Sequence, residues 1–583
     1  MNLRNIKNLL LSVLLLLVSS CIWAQKSNLR EYGNAVRLEV DGTPFLVLGG
    51  ELGNSSAACP EDIERNFAKL RRMGLNTVLV PAYWDMTEPV EGVFDFSLTD
   101  KVLEEARTND LKVIFLWFGA WKNSMSCYAP LWFKSDSRRF PRARTADGKP
   151  LEIASAFSEE VFKADNKAFR AWLSHIAEAD KAHGTVIMVQ IENEIGMLED
   201  ARDHSVTADR HFNAKVPRQL TEYLSAHKDI LHPYMLEKWS SAGCRMEGTW
   251  TELFGEDIYT DEIFMAWFYA SYVERMAKSA REIYDIPLFV NAAMNSRGRR
   301  PGEYPSAGPL AHLKDIWHAA APSVDFLSPD IYDDGFKDWV AKYHLPDNPL
   351  FIPEAKMTQD NGVRAFYVIG EHDAIGISPF AIEDSSDAQE TPFVQGYLKL
   401  RELMPLVTKW QGQDAMWGLL FSQNDRERVI DDGDLVLTCR HNFTLPWDPR
   451  ATDGTAWPEG GGFIIRLAED EYLIAGNGIV VEFATAQEKA GQNQISLGED
   501  GFVISGDASD DPSSGQEGGR GRKDTSWKAQ RVGLGAVHEV TVLQDASFRS
   551  VRSLNGDQTH QGRHVRISVG DWKALHVRLY RYR

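Results

Sequence analysis

The sequence predicts an α/β protein: a (β/α)8 TIM barrel followed by a C-terminal β-sandwich domain. Three observations carry this. Between about residues 40 and 410, apolar β-branched runs alternate with segments of helical periodicity, eight strands in all. Two of those runs end abruptly in carboxylates: Val186-Ile187-Met188-Val189-Gln190-Ile191-Glu192-Asn193-Glu194-Ile195-Gly196, and Pro349-Leu350-Phe351-Ile352-Pro353-Glu354-Ala355-Lys356. A strand whose C-terminal tip turns polar is where such a barrel holds chemistry. Beyond about residue 411 the texture changes to short alternating segments, as at 462–468, 471–475, 479–485 and 574–580, divided by Gly, Asp and Asn. That pattern reads as packed antiparallel sheets.

The elements follow in order. Strands at 35–40 and 44–49 flank an Asp41-Gly42 turn, and the second ends at Gly49-Gly50-Glu51. Cys59-Pro60-Glu61-Asp62 opens a helix: Pro sits where its missing N–H costs nothing, and the acids favour the N-terminal dipole. Ile63, Phe67, Leu70 and Met73 mark its apolar face, and Gly74 stops it. A strand at 76–81 leads to Tyr83-Trp84-Asp85, and Thr99 is expected to cap a helix through Arg107. The strand 112–118 carries Trp117 and ends in Gly119-Ala120-Trp121-Lys122-Asn123. A helix at 166–179, with Phe169, Trp172, Leu173 and Ile176 on one face, precedes the Glu194 strand, the fourth. Residues 200–260, with Trp250 among them, break the rhythm and read as an insertion over the active-site mouth. A helix at 260–284 restores it. Strands at 287–291, ending in Asn291, and at 324–328, running into Pro329-Asp330-Ile331-Tyr332, are the fifth and sixth. The Glu354 strand is the seventh and 374–379 the eighth. The expected domains are the barrel at 30–410 and the β-domain at 411–583, with a Gly/Ser/Asp-rich loop at 505–524 read as disordered.

The composition sets limits. A chain of 583 residues exceeds one core, and 43% hydrophobic content fits a packed globular protein. A net charge of −20 argues against a nucleic-acid partner. Arg4 and Lys7 ahead of an apolar run at 9–18 read as a signal peptide over 1–24, too short for a membrane span. Two processing readings stay open. Val18-Ser19-Ser20-Cys21 resembles a bacterial lipobox and would put a lipid on Cys21; cleavage after Ala24 would leave Gln25 first. Either implies export, to the periplasm or to a lipid anchor on the outer membrane. Cys59, Cys127, Cys244 and Cys439 form no CxxC pair, so buried free thiols are expected rather than zinc ligands. No metal or cofactor is expected, and the oligomeric state is not set by the sequence.

Two carboxylates on two strand ends of one barrel suit glycosidic bond cleavage, one as acid and one as nucleophile or base. Seventeen Trp also suit sugar binding, since flat rings stack on pyranose faces. The run 190–196 resembles the acid/base motif of glycoside hydrolase family 35, the β-galactosidases of clan A. Trp84 with Glu88-Pro89, Gly92 and Phe94-Asp95-Phe96 resembles that family's second-strand motif. The tract Trp117 to Ser126 resembles a bacterial branch carrying a C-terminal β-domain of unassigned function. The chain departs from the family pattern at 85–89 and 50–54. The resemblance implies Glu194 as acid/base and Glu354 as nucleophile. It further implies Asn193 on the sugar 2-hydroxyl and Tyr332 orienting Glu354. Glu51, Glu192 and Asn291 join them as substrate-binding candidates, Glu192 either on a sugar hydroxyl or holding the proton of Glu194. Glu192 is placed on the face of Glu194 because strand side chains alternate. Trp84, Trp117, Trp121 and Trp250 are the candidate stacking platforms. The expected activity is a retaining exo-β-galactosidase acting on plant polysaccharide side chains or oligosaccharides. The alternatives are the same machinery on an α-L-arabinopyranoside, and a non-catalytic glycan-binding lipoprotein.

Overall fold

Val, Ile, Leu and Phe fill eight short parallel strands so completely that both faces are buried, the signature of a sheet covered all round. The computed structural model describes residues 27–295, 298–491, 496–497, 503–504 and 529–583. The expected signal peptide, Cys21 and the loop at 505–524 lie outside the described residues. The strands are β1 (Val47–Leu48), β2 (Thr77–Tyr83), β3 (Lys112–Phe118) and β4 (Val186–Gln190), then β5 (Leu288–Ala293), β6 (Phe326–Ile331), β7 (Phe351–Ala355) and β8 (Gly376–Pro379). Their order in the sheet is β1-β8-β7-β6-β5-β4-β3-β2. Glu51 closes the ring by bridging to both Leu79 on β2 and Phe380 after β8. The TIM barrel is therefore as expected, with Glu194 after the fourth strand and Glu354 on the seventh.

The helices show the local logic and one correction. Pro60–Arg72 carries Pro in its first turn, with Ile63, Phe67 and Leu70 buried. Glu159–Ala179 is capped by the Ser158 hydroxyl, which accepts from Val161 N–H. Thr99 does not cap: the helix runs Ser97–Thr108 and Thr99 lies inside it, its hydroxyl accepting from the buried Trp172 Nε1 at 3.0 Å. The insertion at 200–260 is not loop but four short helices, Val206–Phe212, Arg218–Ala226, Pro233–Ser241 and Trp250–Phe254. Among the described residues no helix is long and apolar enough to cross a membrane. Of the four cysteines described, all free, only Cys439 is buried and Cys127 is exposed, which corrects the expectation of buried thiols.

The described residues form two compact units. One holds 27–30, 37–356 and 377–385; the other holds 31–36, 357–376 and 386–583. The division is not a single cut at 410. The helices Asn361–His372 and Pro392–Trp410, which follow β7 and β8 in the chain, belong to the second unit. That unit has a six-stranded sheet, β9 (Met416–Phe421), β12 (Gly460–Ala468), β13 (Glu471–Asn477), β18 (Lys573–Tyr582), β15 (Arg531–Val542) and β16 (Phe548–Ser553), in that order. A four-stranded sheet orders β10 (Glu427–Asp432), β11 (Leu435–His441), β14 (Ile479–Thr485) and β17 (Val565–Ile567). Leu419, Ile464, Ile474 and Val577 from the first share one apolar core with Ile430, Leu437, Val481 and Ile567 from the second, which makes it a sandwich.

Candidate active site

β4 is apolar through Val189, and its polar tip begins where the strand ends, at Gln190. The next residues form a turn in which Glu192 (φ 58°) and Glu194 (φ 46°) both take the left-handed conformation. For non-glycine residues this costs about 1–3 kcal/mol and needs surrounding contacts to hold it. Segment 121–124, after β3, supplies them on one side. Asn193 N–H donates to Trp121 O at 3.3 Å, Asn123 N–H to Asn193 O at 3.2 Å, and Ser124 N–H to Glu194 O at 3.1 Å. On the other side, Glu194 N–H donates to Asn291 Oδ1 on β5 at 2.9 Å.

The two left-handed residues break the alternation expected of a strand, so Glu192 and Glu194 do not share a face. Glu192 Oε2 accepts Trp121 N–H at 2.8 Å, and the carboxyl lies beside the buried Asp165. Asp165 accepts from Trp117 Nε1 at 3.0 Å and from Tyr272 Oη at 2.7 Å. Burial, then the charge of Asp165, pushes the Glu192 carboxyl well above its ordinary range; burial also raises Asp165. Glu192 is therefore part of a buried acid pair, and its expected role as a sugar ligand is withdrawn.

Glu194, Glu354, Asp330 and Glu51 are four buried carboxyls in one site. Glu354 on β7 lies in register with Asp330 on β6. One carboxylate oxygen from each of Glu194, Asp330 and Glu354 lies within 4.8 Å of the other two. The Tyr332 hydroxyl donates to Glu354 Oε1, and the Asn123 amide donates to Glu194 Oε2. Tyr332 is 45% exposed, which places it on the rim rather than in the core. Burial, then the charge of Glu194, raises the Glu354 carboxyl to about 7, while Lys122 and the Tyr332 hydroxyl pull it down. Burial, then Glu354, pushes Glu51 well up, with Lys122 opposing; the same two causes raise Asp330.

Several buried polar atoms here have no hydrogen-bond partner among the described residues: both amide atoms of Asn193, Glu354 Oε2, Asp330 Oδ1 and Glu51 Oε1. Each such atom is costly when left unmade, by about 1–3 kcal/mol. A ligand rich in hydroxyls is the chemistry that would satisfy acceptors and donors together. Asn291 differs. Its Oδ1 takes the Glu194 N–H and its Nδ2 donates to Asp330 Oδ2 at 2.7 Å, so it holds residues rather than presenting itself to a substrate. That corrects its expected binding role.

The four tryptophans are not platforms. Trp84, Trp117, Trp121 and Trp250 are all fully buried. Trp84 Nε1 donates to Glu88 Oε2 at 3.0 Å, and Glu88 Oε1 accepts Gly92 N–H at 2.7 Å, so the second-strand motif is a brace. Trp121 meets Tyr269 and Tyr272 edge-on, and Trp250 sits among Phe254, Phe264 and Phe268. Large flat side chains on a barrel bury the most apolar area, and that use prevailed. Three contributors were not among the candidate site residues: Lys122, Asn123 and Asp330. Asn123 and Asp330 follow or end apolar strands as Glu194 and Glu354 do, so the same strand-tip signal marks them. A lone Lys carries no such signal, because lysine in a loop is ordinarily solvated.

Residues 56–242, which include β2 to β4 and the Glu194 turn, match the family model described as Beta-galactosidase, that of glycoside hydrolase family 42. Residues 393–566 match a domain of unknown function, DUF5597. A β-galactosidase of Xanthomonas manihotis is 29% identical over 178 residues, 29% of this chain and 26% of that protein. Solved structures with similarity include a family 42 β-galactosidase from G. stearothermophilus (TM-score 0.43, 16% identity, 63% of this chain and 57% of that one) and the β-galactosidase of the psychrophilic Marinomonas ef1 (0.41, 14%, 62% and 60%). A β-mannanase from the blue mussel Mytilus edulis also aligns (0.37, 14%, 65% and 97%). The chain spans about a quarter of the curated relative and under two thirds of the two β-galactosidase structures. The match corrects the expected family: the β-galactosidase resemblance of clan A holds, and the family indicated over the segment carrying Glu194 is 42 rather than 35.

Proposed function

We propose that the chain is a retaining β-galactosidase in which Glu194 is the acid/base and Glu354 the nucleophile. The observation that carries this reading is the buried pair on the ends of β4 and β7, with carboxylate oxygens within 4.8 Å. That closeness suits double displacement, whose carboxyls stand about 5–5.5 Å apart, and leaves little room for the water that inversion requires. A Glu354 oxygen attacks the anomeric carbon as the bond to the leaving oxygen breaks, and Glu194 passes its proton to that oxygen. Water then attacks the anomeric carbon of the ester, gives its proton to Glu194 and releases Glu354. Lys122 and Tyr332 favour the ionised form of Glu354 that the first step needs. Asn193, with a buried unpartnered amide beside Glu194, would hold a sugar hydroxyl, its bond strengthening as charge develops. The β-galactosidase match over residues 56–242 supports the sugar, and terminal galactosyl groups of plant oligosaccharides or side chains are the proposed substrate. The expected export, with a lipid on Cys21 or cleavage after Ala24, belongs to the same proposal and is read by metabolic labelling with palmitate.

The test is a panel of nitrophenyl glycosides, followed by proton NMR at early times on the best one. The galactoside should turn over fastest, and β-galactose should appear before mutarotation mixes the anomers. α-Galactose as first product would overturn retention. An α-L-arabinopyranoside turned over faster would move the sugar but keep the mechanism.

A further inference from the structure

We propose that Asp330 is a positioning residue that acts on Glu194 through Asn291. The inference rests on the proposed role of Glu194 as acid/base and adds a residue outside the candidates read from the sequence.

The Glu194 backbone is left-handed, so its carboxyl stays in place only while its neighbours hold that conformation. The Glu194 N–H can only donate, which obliges Asn291 to present its oxygen there, at 2.9 Å. The amide nitrogen of Asn291 then faces the other way and needs an acceptor. Asp330 Oδ2 is that acceptor, at 2.7 Å. The turn after β4 and the neighbouring strands β5 and β6 thus contribute one link each. Asp330 fixes which way the Asn291 amide is turned, and the amide fixes the turn at Glu194. All three residues are buried, so water does not compete for these bonds. Asp330 also stands in register with Glu354, which joins both catalytic carboxyls to one scaffold. Burial, then the charges of Glu354 and Glu194, raises the Asp330 carboxyl.

Two other roles make different forecasts. A substrate-binding Asp330 would raise KM equally for every leaving group. A purely structural one would lower Tm and leave the turnover of folded protein alone. The positioning role predicts the signature of a misplaced acid: kcat/KM falls far more on a poor alkyl leaving group than on an activated aryl one, which needs little protonation. Asp330→Leu should show a loss of about 10²-fold on the alkyl galactoside and under about tenfold on the dinitrophenyl one. Asp330→Asn keeps an acceptor for Asn291, so its losses on the alkyl and the aryl galactoside should be equal, whatever their size. Asn291→Leu should reproduce the pattern of Asp330→Leu, and the double variant should be no worse than either single, because both break one chain.

Equal losses on all leaving groups in Asp330→Leu, or additive losses in the double variant, would overturn the proposal. Hydrogen exchange of the peptide spanning 191–196 is read alongside, and it needs no activity. Its Glu194 amide should lose protection in Asp330→Leu and keep it in Asp330→Asn. If the parent turns over no glycoside, the glycosidase reading fails by itself, and the exchange result alone decides the link. Unchanged protection in Asp330→Leu would then reject it.

Discussion

Lys122 opposes the burial and the Glu194 charge that push the Glu354 carboxyl up. Four buried carboxyls surround the site, and Lys122 is the cation that lowers both Glu51 and Glu354. The nucleophile must be ionised, and its carboxyl stands at about 7, so kcat/KM should rise with pH along an acidic limb centred near 7. Removing a nearby cation disfavours the charged form and raises the pKa. Lys122→Met should therefore move that limb to higher pH, by roughly one unit. Tyr332→Phe removes a donor to the carboxylate and should move it the same way. A limb that stays put, or shifts down, would separate Lys122 from Glu354. Glu354→Gln should lower turnover by a factor of about 10⁴ or more while Tm changes little, because shape is preserved and the nucleophile is lost. At this scale the sequence was informative where polarity interrupts an apolar strand. Glu194 and Glu354 stand out that way, whereas Tyr332 enters through the family resemblance. The sequence misled where a residue type has two uses: Trp84, Trp117, Trp121 and Trp250 are sugar-facing or core by composition alone, and only packing distinguishes them.

The turn after β4 shows the same limit at the scale of an element. Reading 190–196 as a continuing strand puts Glu192 and Glu194 on one face, whereas two left-handed residues turn Glu192 into the protein. Such a conformation in a non-glycine residue leaves no mark in sequence, because nothing about Glu favours it. Its supports are legible only in space. Gly119 is one: a Cβ there would lie 2.3 Å from Trp117 Nε1 and 2.7 Å from both Asp165 Oδ1 and Glu192 Oε1. Gly119→Ala should push the acid pair apart and destabilise the barrel by about 1–3 kcal/mol, seen as a lowered midpoint in urea. Glu192→Gln is the control at the same place. It keeps size and can donate to Asp165, so it should be tolerated, while Glu192→Ala, which leaves Trp121 N–H without its acceptor and opens a void beside Asp165, should not. Equal stability in the Gln and Ala variants would mean the pair holds nothing.

On the scale of the whole molecule, the eight-strand count and the sandwich were readable because burial on both faces, and alternation on one, leave different patterns. The partition between units was not, since it depends on which surface each helix covers. Asn361–His372 follows β7 as any barrel helix would, yet within its unit it lies against β9 and β12. Phe366 stacks on Phe463 at 5.2 Å and meets Trp572 at 5.7 Å. Phe463 and Ile464 alternate on β12, so one face of that sheet meets this helix and the other meets the sandwich core. Gly370 is packed closely enough that a Cβ would come within 2.4 Å of Phe463 Cβ. Truncation after residue 410, where the sequence texture changes, would therefore leave Val363 and Phe366 of this helix without the strand they pack on. Each such side chain is worth about 1.5–3 kcal/mol when buried. Chains ending at 410 should express as aggregated or molten protein, binding a hydrophobic dye and losing the near-ultraviolet signal of packed aromatics. A chain ending there that unfolds cooperatively, at the melting temperature of the full protein, would show that the helix does not need the sandwich.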